Sequence, residues 1–251
     1  MKNGLKNGNI VMFGATSGIA RALSHELLEQ GSELILVGRN EAALQAEAAD
    51  LAVRQGKRAR VFVWDLLERE THGQRFAELA ALGPLAGVVF AAGVMPSESE
   101  IQADPRLTRI MLDVNLTETL MVLNLFAEHL RQRGSGFLSV ISSVAGDRGR
   151  AGNKTYGASK AGLSAYLEGL RASLHGTGVL VQTVKPGPVR TPMTADYKGP
   201  AVLLADPKAV ARVIIRAIRC GKTTVYAPGY WRLVMAIIRA LPESLARRVP
   251  G

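Results

Sequence analysis

Tyr156 and Lys160 stand four residues apart in the run TYGASKAG, Thr155 to Gly162. On a helix that spacing sets a phenol and an ammonium on one face, about one turn apart. A phenol titrates near ~10 in water, and a neighbouring cation favours its ionised form. The pair is therefore suited to exchanging a proton with a carbonyl or alcohol oxygen, although Tyr and Lys at this spacing also form plain solvated surface pairs. Ser143 stands thirteen residues before Tyr156, in VISSVAG at the end of an apolar run. Its hydroxyl is placed to converge with the phenol on one substrate oxygen, whereas Ser142 is expected to point elsewhere.

A second group of residues suits a phosphate. GATSGIA, Gly14 to Ala20, follows the first apolar run and leads into a helical pattern ending at Gly31. Gly14 and Gly18 leave room for backbone to approach a pyrophosphate, and the helix N-terminus that carries Thr16, Ser17 and Ile19 offers free N–H groups and a positive dipole end. Dinucleotide binding follows, against the alternative that the turn serves only close packing, with Ala20 where a third glycine is usual. After the second apolar run, VGRN places Arg39 where an acid would hold the ribose of NAD; an arginine there pairs with a 2′-phosphate and favours NADP(H) over NAD(H). Asp65, in WDLL with Leu66, suits the adenine amine or a helix cap. In KPGPVRTP, Pro186 and Gly187 turn the chain, and Val189 and Thr191 present backbone and hydroxyl groups to a carboxamide.

These residues need a scaffold that brings loop after loop to one edge. Apolar runs predict strands over Asn9 to Phe13, Glu33 to Val37, Arg60 to Trp64, Gly87 to Phe90, Gly136 to Ile141, Val179 to Val184 and Thr223 to Tyr226. Helical periodicity fills the intervals, as over Glu41 to Gln55 and Pro105 to Arg133. The alternation predicts an α/β fold, Rossmann-type and doubly wound, with a seven-stranded, mostly parallel sheet and helices on both faces. Ligands bind beyond the carboxyl ends of such strands, where each motif above falls. A single catalytic domain is expected over 1–229, followed by a C-terminal amphipathic basic extension over 230–251.

The 251 residues, 47% hydrophobic and 21% charged, suit one large domain. A lone cysteine, Cys220, excludes an internal disulfide, and His25, His72, His129 and His175 lack metal-ligand spacing, so no metal is expected. The N-terminus MKNGLKNGNIVMFGA lacks the apolar core of a signal peptide, which predicts a cytoplasmic protein. A formal net charge of +10 suits an anionic substrate or membrane surface; without a zinc-finger or RNA-binding signature, nucleic acid is not an expected partner.

Taken together, the glycine loop, AAG at Ala91, Ala92 and Gly93, DVN ending at Asn115, Ser143, Tyr156-x-x-x-Lys160 and PGPVRT resemble the short-chain dehydrogenase/reductase family over roughly residues 9 to 227. The resemblance implies that Tyr156 is the acid or base, that Lys160 stabilises its phenolate and holds the nicotinamide ribose, that Ser143 orients the substrate oxygen, and that Asn115 supports a water-linked proton relay through Lys160. It also implies a homo-oligomer through the helices Pro105 to Arg133 and Asn153 to His175. Ala91 departs from the family's usual Asn, and Phe13 from a common Thr. The small residues Gly157, Ala158, Ser159, Ala161 and Gly162 suit a helix lying close to its neighbours.

The second half of the chain, through YAPGYWRLVMAIIRALPESLARRVP, is similar to reductases of decaprenylphosphoryl-2-keto-pentoses, whose ketone is supplied by a flavin-dependent oxidase partner. Another lipid ketone, such as a 3-oxoacyl chain or sterol, and a nucleotide-binding subunit without turnover are the alternatives. In the tail, Trp231, Leu233, Val234, Met235, Ile237, Ile238 and Leu241 form an apolar surface beside Arg232, Arg239, Arg247 and Arg248. That pattern suits peripheral contact with the inner face of the cytoplasmic membrane, or a helix packed on the core.

Overall fold

The computed structural model describes residues 5, 8–56, 58–195, 197 and 199–246. Strands β1 Asn9–Phe13, β2 Glu33–Gly38, β3 Arg60–Val63, β4 Leu85–Phe90, β5 Gly136–Ile141, β6 Val179–Pro186 and β7 Thr224–Ala227 form one sheet in the order β3-β2-β1-β4-β5-β6-β7. Every pairing is parallel, so the sheet expected to be mostly parallel is entirely so. Parallel strands are covered on both faces, and β1 and β4 are buried along their whole length. That is why their sequences read as continuous apolar runs. The chain winds outward from β1 to β3, returns to β4 beside β1, then winds the other way; this reversal opens a crevice beyond the strand ends.

Helices α1 Gly18–Glu29, α2 Glu41–Gln55, α3 His72–Ala80, α4 Glu98–Ala103, α5 Arg106–Leu112, α6 Glu118–Arg133, α7 Lys154–Ser173, α8 Pro207–Arg219, α9 Trp231–Ala240 and α10 Glu243–Ala246 complete the fold. One core layer joins Leu23 and Leu27 of α1 to Leu44 of α2 and to Val210, Ile214 and Ile218 of α8. The opposite layer joins Val122 and Phe126 of α6 to Leu163 and Leu167 of α7. Each such side chain, fully buried, contributes roughly 1.5–3 kcal/mol. Start signals are equally local: Asp206 accepts from the Ala209 amide at 3.1 Å with Pro207 opening α8.

The single long helix expected over Pro105 to Arg133 is interrupted. Asp113–Thr117 form a π-helical turn between α5 and α6, in which the Thr119 hydroxyl donates to the Val114 carbonyl at 2.7 Å. A wider turn is a common device for redirecting one side chain, and here it sets Asn115 inside. Arg106–Arg133 is long and apolar enough to cross a bilayer, but 56% of its most apolar stretch is buried inside the fold.

The tail divides into two apolar faces. Trp231 and Met235 are buried against Val144, flanked by Leu203, Tyr226, Val234 and Ile238, and Arg148 donates to the Arg239 carbonyl at 3.1 Å. Leu233 and Ile237 are 68% and 57% exposed, beside exposed Arg232 and Arg239. Of the two expected placements, packing on the core holds for the face of Trp231 and Met235, while Leu233 and Ile237 stay on the surface. Arg247 and Arg248 lie outside the described residues.

Candidate active site

The crevice is a cavity of about 890 Å³ that runs from the α1 N-terminus to α9. At one end the chain turns through Gly14, at φ +74°, where a Cβ would stand 2.5 Å from the Ala92 amide; only glycine meets both demands. Ser17 caps α1 by accepting from the Ala20 amide at 3.3 Å. The amides of Gly18 and Ile19 have no carbonyl one turn earlier to receive them, and no acidic residue stands in that first turn. Phe13, in the position of a common Thr, stacks on Phe90 with ring centroids 4.6 Å apart and stiffens the approach to the turn. The Ala91 amide still donates to the Phe13 carbonyl at 2.8 Å, so the departure at Ala91 leaves the strand pairing intact.

Thr16, Ser17, Gly18, Ile19, Arg39, Asp65, Leu66, Ala91, Ala92, Gly93, Pro186, Gly187, Val189 and Thr191 all line the cavity. Asp65 accepts from the Leu67 amide at 3.0 Å, which fixes its carboxylate in the wall. Arg39 is exposed and makes no ion pair among the described residues. A helix N-terminus at one point and a guanidinium outside any ion pair at another fit the pyrophosphate and ribose of a nicotinamide dinucleotide.

At the end of β5, Ser143 is extended and accepts from the Ala145 amide at 3.1 Å. Its hydroxyl stands close enough to the Tyr156 phenol to favour the ionised form. Ser142 turns away and bonds Ser164 at 2.7 Å and the Lys160 carbonyl at 3.1 Å, as expected of it. Lys160, 4% exposed, donates to the Ile141 carbonyl at 3.1 Å and lies 5.7 Å from the Tyr156 ring centroid. Small residues do bring α7 close: Cβ positions built on Gly157 and Gly162 stand 3.0 Å from the Ala145 carbonyl and 3.1 Å from Leu116.

Burial pushes the Tyr156 phenol up to about 12, with the Ser143 hydroxyl pulling the other way. Burial alone drives Lys160 down to about 8. The phenol is thus a protonated donor at neutral pH.

Asn115 is the one proposed catalytic residue outside the cavity wall. At 1% exposure, its amide accepts from the Val94 N–H and donates to the Val94 carbonyl, both at 2.8 Å, and reaches Ser159 at 3.3 Å. It holds the segment after β4 in place, and its carbonyl oxygen borders the space at Gly93 that also abuts the Lys160 ammonium. Sequence reasoning did not single out Arg150, Asn153 or Leu203, which line the same cavity, and it did not place Trp231 there. The i, i+3, i+4, i+7 set Trp231, Val234, Met235 and Ile238 was the available sign of an inward face.

A crevice at a strand reversal, with a phosphate-binding turn at one end and a buried phenol at the other, defines a nicotinamide-dependent oxidoreductase. Residues 8–200 match the short chain dehydrogenase family. An uncharacterized oxidoreductase of Streptomyces coelicolor is 35% identical over 242 residues, which cover 96% of this chain and 95% of the relative. One of Mycobacterium tuberculosis is 33% identical over 242 residues, 96% of each chain. Among solved structures, a protein of Escherichia coli CFT073 described as a short chain dehydrogenase complexed with NADPH superposes with a TM-score of 0.80 at 27% identity, covering 90% of this chain and 99% of that one. The chain belongs to the short-chain dehydrogenase/reductase family and is an NAD(P)-dependent oxidoreductase.

The buried ammonium generates a prediction about stability. Moving Lys160 from 10.5 to about 8 corresponds to about 3 kcal/mol against the charged form. Below pH 8 the folded protein carries that whole cost. Between about pH 8 and 10.5 the unfolded chain holds the proton more tightly, so stability rises with pH. Denaturant unfolding without added nucleotide should find Lys160→Met at least as stable as wild type at pH 7, with its relative advantage shrinking by pH 10. A difference that stays constant across that range would show that Lys160 does not titrate there.

Proposed function

We propose that the protein is an NADP(H)-dependent reductase of a lipid-linked ketone. Supporting the reaction is one observation: Ser143, Tyr156 and Lys160 meet at the end of β5 in a single cavity. In this reading Tyr156 donates its proton to the carbonyl oxygen as that oxygen gains charge, and the Ser143 hydroxyl orients the oxygen and stabilises the charge. Lys160 supplies a nearby cation that favours the phenolate left behind, and Asn115 keeps the Val94 segment and the relay path in register. Nicotinamide, when bound, supplies the hydride. Gly14, Gly18, Ile19, Ala92, Gly93, Gly187, Val189 and Thr191 would hold the dinucleotide, with Arg39 pairing a 2′-phosphate. The NADPH complex of the Escherichia coli relative supports that choice of cofactor.

For the substrate, the support is the apolar wall of Val144, Met193, Leu203 and Trp231. Together with the resemblance of the C-terminal half, it favours the 2-keto group of a polyprenylphosphoryl pentose, made by a flavin-dependent oxidase partner. The exposed stripe of Tyr230, Leu233 and Ile237 beside two arginines suits peripheral attachment to an anionic inner leaflet. A homo-oligomer would use the outward faces of α6 and α7, where Met121 is 57% exposed.

Three measurements test this reading. Tyr156→Phe should lower turnover by orders of magnitude with nucleotide affinity nearly intact; wild-type turnover in that variant would refute the proton-donor role. Arg39→Ala should weaken NADPH by roughly tenfold or more and leave NADH almost unchanged, whereas equal losses for both would assign Arg39 a structural role. Vesicles rich in anionic lipid should sediment the protein at low salt and release it at high salt, and Leu233→Ser with Ile237→Ser should abolish the binding. Indifference of the full protein to such vesicles would end the membrane proposal.

A further inference from the structure

Three polar atoms beyond Tyr156 are buried with no hydrogen-bond partner: Arg150 Nε, Asn153 Oδ1 and Trp231 Nε1. All three residues line the cavity that holds Ser143 and Tyr156. Those atoms themselves are closed off, the indole nitrogen against Gly187, so a molecule in the cavity would meet Arg150 through its remaining guanidinium N–H groups.

Charge makes the case sharper. Arg150 forms no ion pair among the described residues, and its one hydrogen bond runs from Nη2 to the Met235 sulfur at 3.7 Å, a weak acceptor. The carboxylate closest in sequence, Asp147, is already engaged by Lys185 Nζ at 2.6 Å and by the Tyr226 hydroxyl at 2.8 Å. Burial disfavours the charged guanidinium, yet an arginine does not give up its proton. A cation kept in a partly desolvated wall calls for an anion.

A guanidinium is a donor only, and its complement is an oxyanion. We propose that Arg150 forms a substrate subsite that takes an oxyanion, so that the ketone reduced at Tyr156 belongs to an anionic molecule. That the ligand is the substrate rests on the reductase reading above. The anion is either a phosphodiester, as in a lipid-linked sugar, or a carboxylate.

The test uses the full-length protein saturated with NADP⁺, which occupies the phosphate-binding turn. Dimethyl phosphate and acetate serve as probes, titrated separately and followed by the fluorescence of Trp231 in a Trp64→Phe background. Saturable binding of one probe is expected, dimethyl phosphate for a diester and acetate for a carboxylate. Arg150→Met should weaken it at least tenfold and Arg150→Lys should restore part of the loss, because the charge returns without the planar fork. Absence of saturable binding for both probes, or equal affinity in wild type and Arg150→Met, overturns the subsite.

NADPH oxidation with dihydroxyacetone phosphate and dihydroxyacetone provides a second readout. The phosphorylated ketone should be preferred in kcat/KM by wild type, and Arg150→Met should erase the preference through KM. Probe binding that depends on Arg150, in a protein that reduces neither ketone, would keep the anion subsite and count against the reductase reading.

Discussion

The ammonium of Lys160 is held at 4% exposure with a backbone carbonyl, that of Ile141, as its acceptor at 3.1 Å. Much of the site follows from that unusual placement. Ile141 is the last residue of β5, so the carbonyl that receives the ammonium marks the strand end, and Ser143 emerges two residues later. The helix bearing Lys160 is tied to the same place by Ser142, which donates to the Lys160 carbonyl and meets Ser164. A charge without a carboxylate is costly in such surroundings, and here the cost falls beside the Tyr156 phenol. Stability has been exchanged for a preset site, a common relation at catalytic centres.

Parallel pairing supplies the rest of the geometry. Because all seven strands point one way, the turns after β1, β2, β4, β5 and β6 arrive at one edge, and residues as distant as Gly14 and Thr191 share one cavity. A Cβ on Gly18 would stand 2.5 Å from the Thr191 methyl, which shows how closely the first and sixth loops meet. The π-helical turn performs the same service from within: it turns Asn115 inward to grip both polar groups of Val94. That grip fixes the loop after β4 without any regular pairing of its own.

The strands were legible because burial on both faces leaves continuous apolar runs, and no strand end differed by more than two residues from its expected position. That Gly14, Ser143, Tyr156 and Lys160 share one cavity was legible because the glycine turn and the Tyr-x-x-x-Lys spacing each leave a local mark at a strand end. What the local pattern could not carry was determined by distance along the chain. Arg150 meets Met235 across 85 residues, and no spacing within either segment announces the contact. The tail was left open between a surface helix and a core helix for a related reason: the spacing of Trp231, Val234, Met235 and Ile238 marks one apolar face, but it is the distant partners Val144 and Tyr226 that claim it.

The tail is packed against the cavity more closely than its position in the chain suggests. Gly187 lies in the turn after β6, and a Cβ there would fall 1.9 Å from Trp231 Nε1. The indole therefore occupies the space that any side chain at 187 would need, and the turn and the helix can be varied only together. α9 is ten residues long, about 15 Å at the α-helical rise, and it buries Trp231 and Met235 on its inner face with Leu233 and Ile237 on the other. A rigid element of that length cannot shift its outer face without shifting its inner one. Whatever rests against Leu233 and Ile237 acts on the same body that positions the indole at Gly187 and the sulfur at Arg150. The outer stripe and the cavity wall at Trp231 are thus two sides of one mechanical unit.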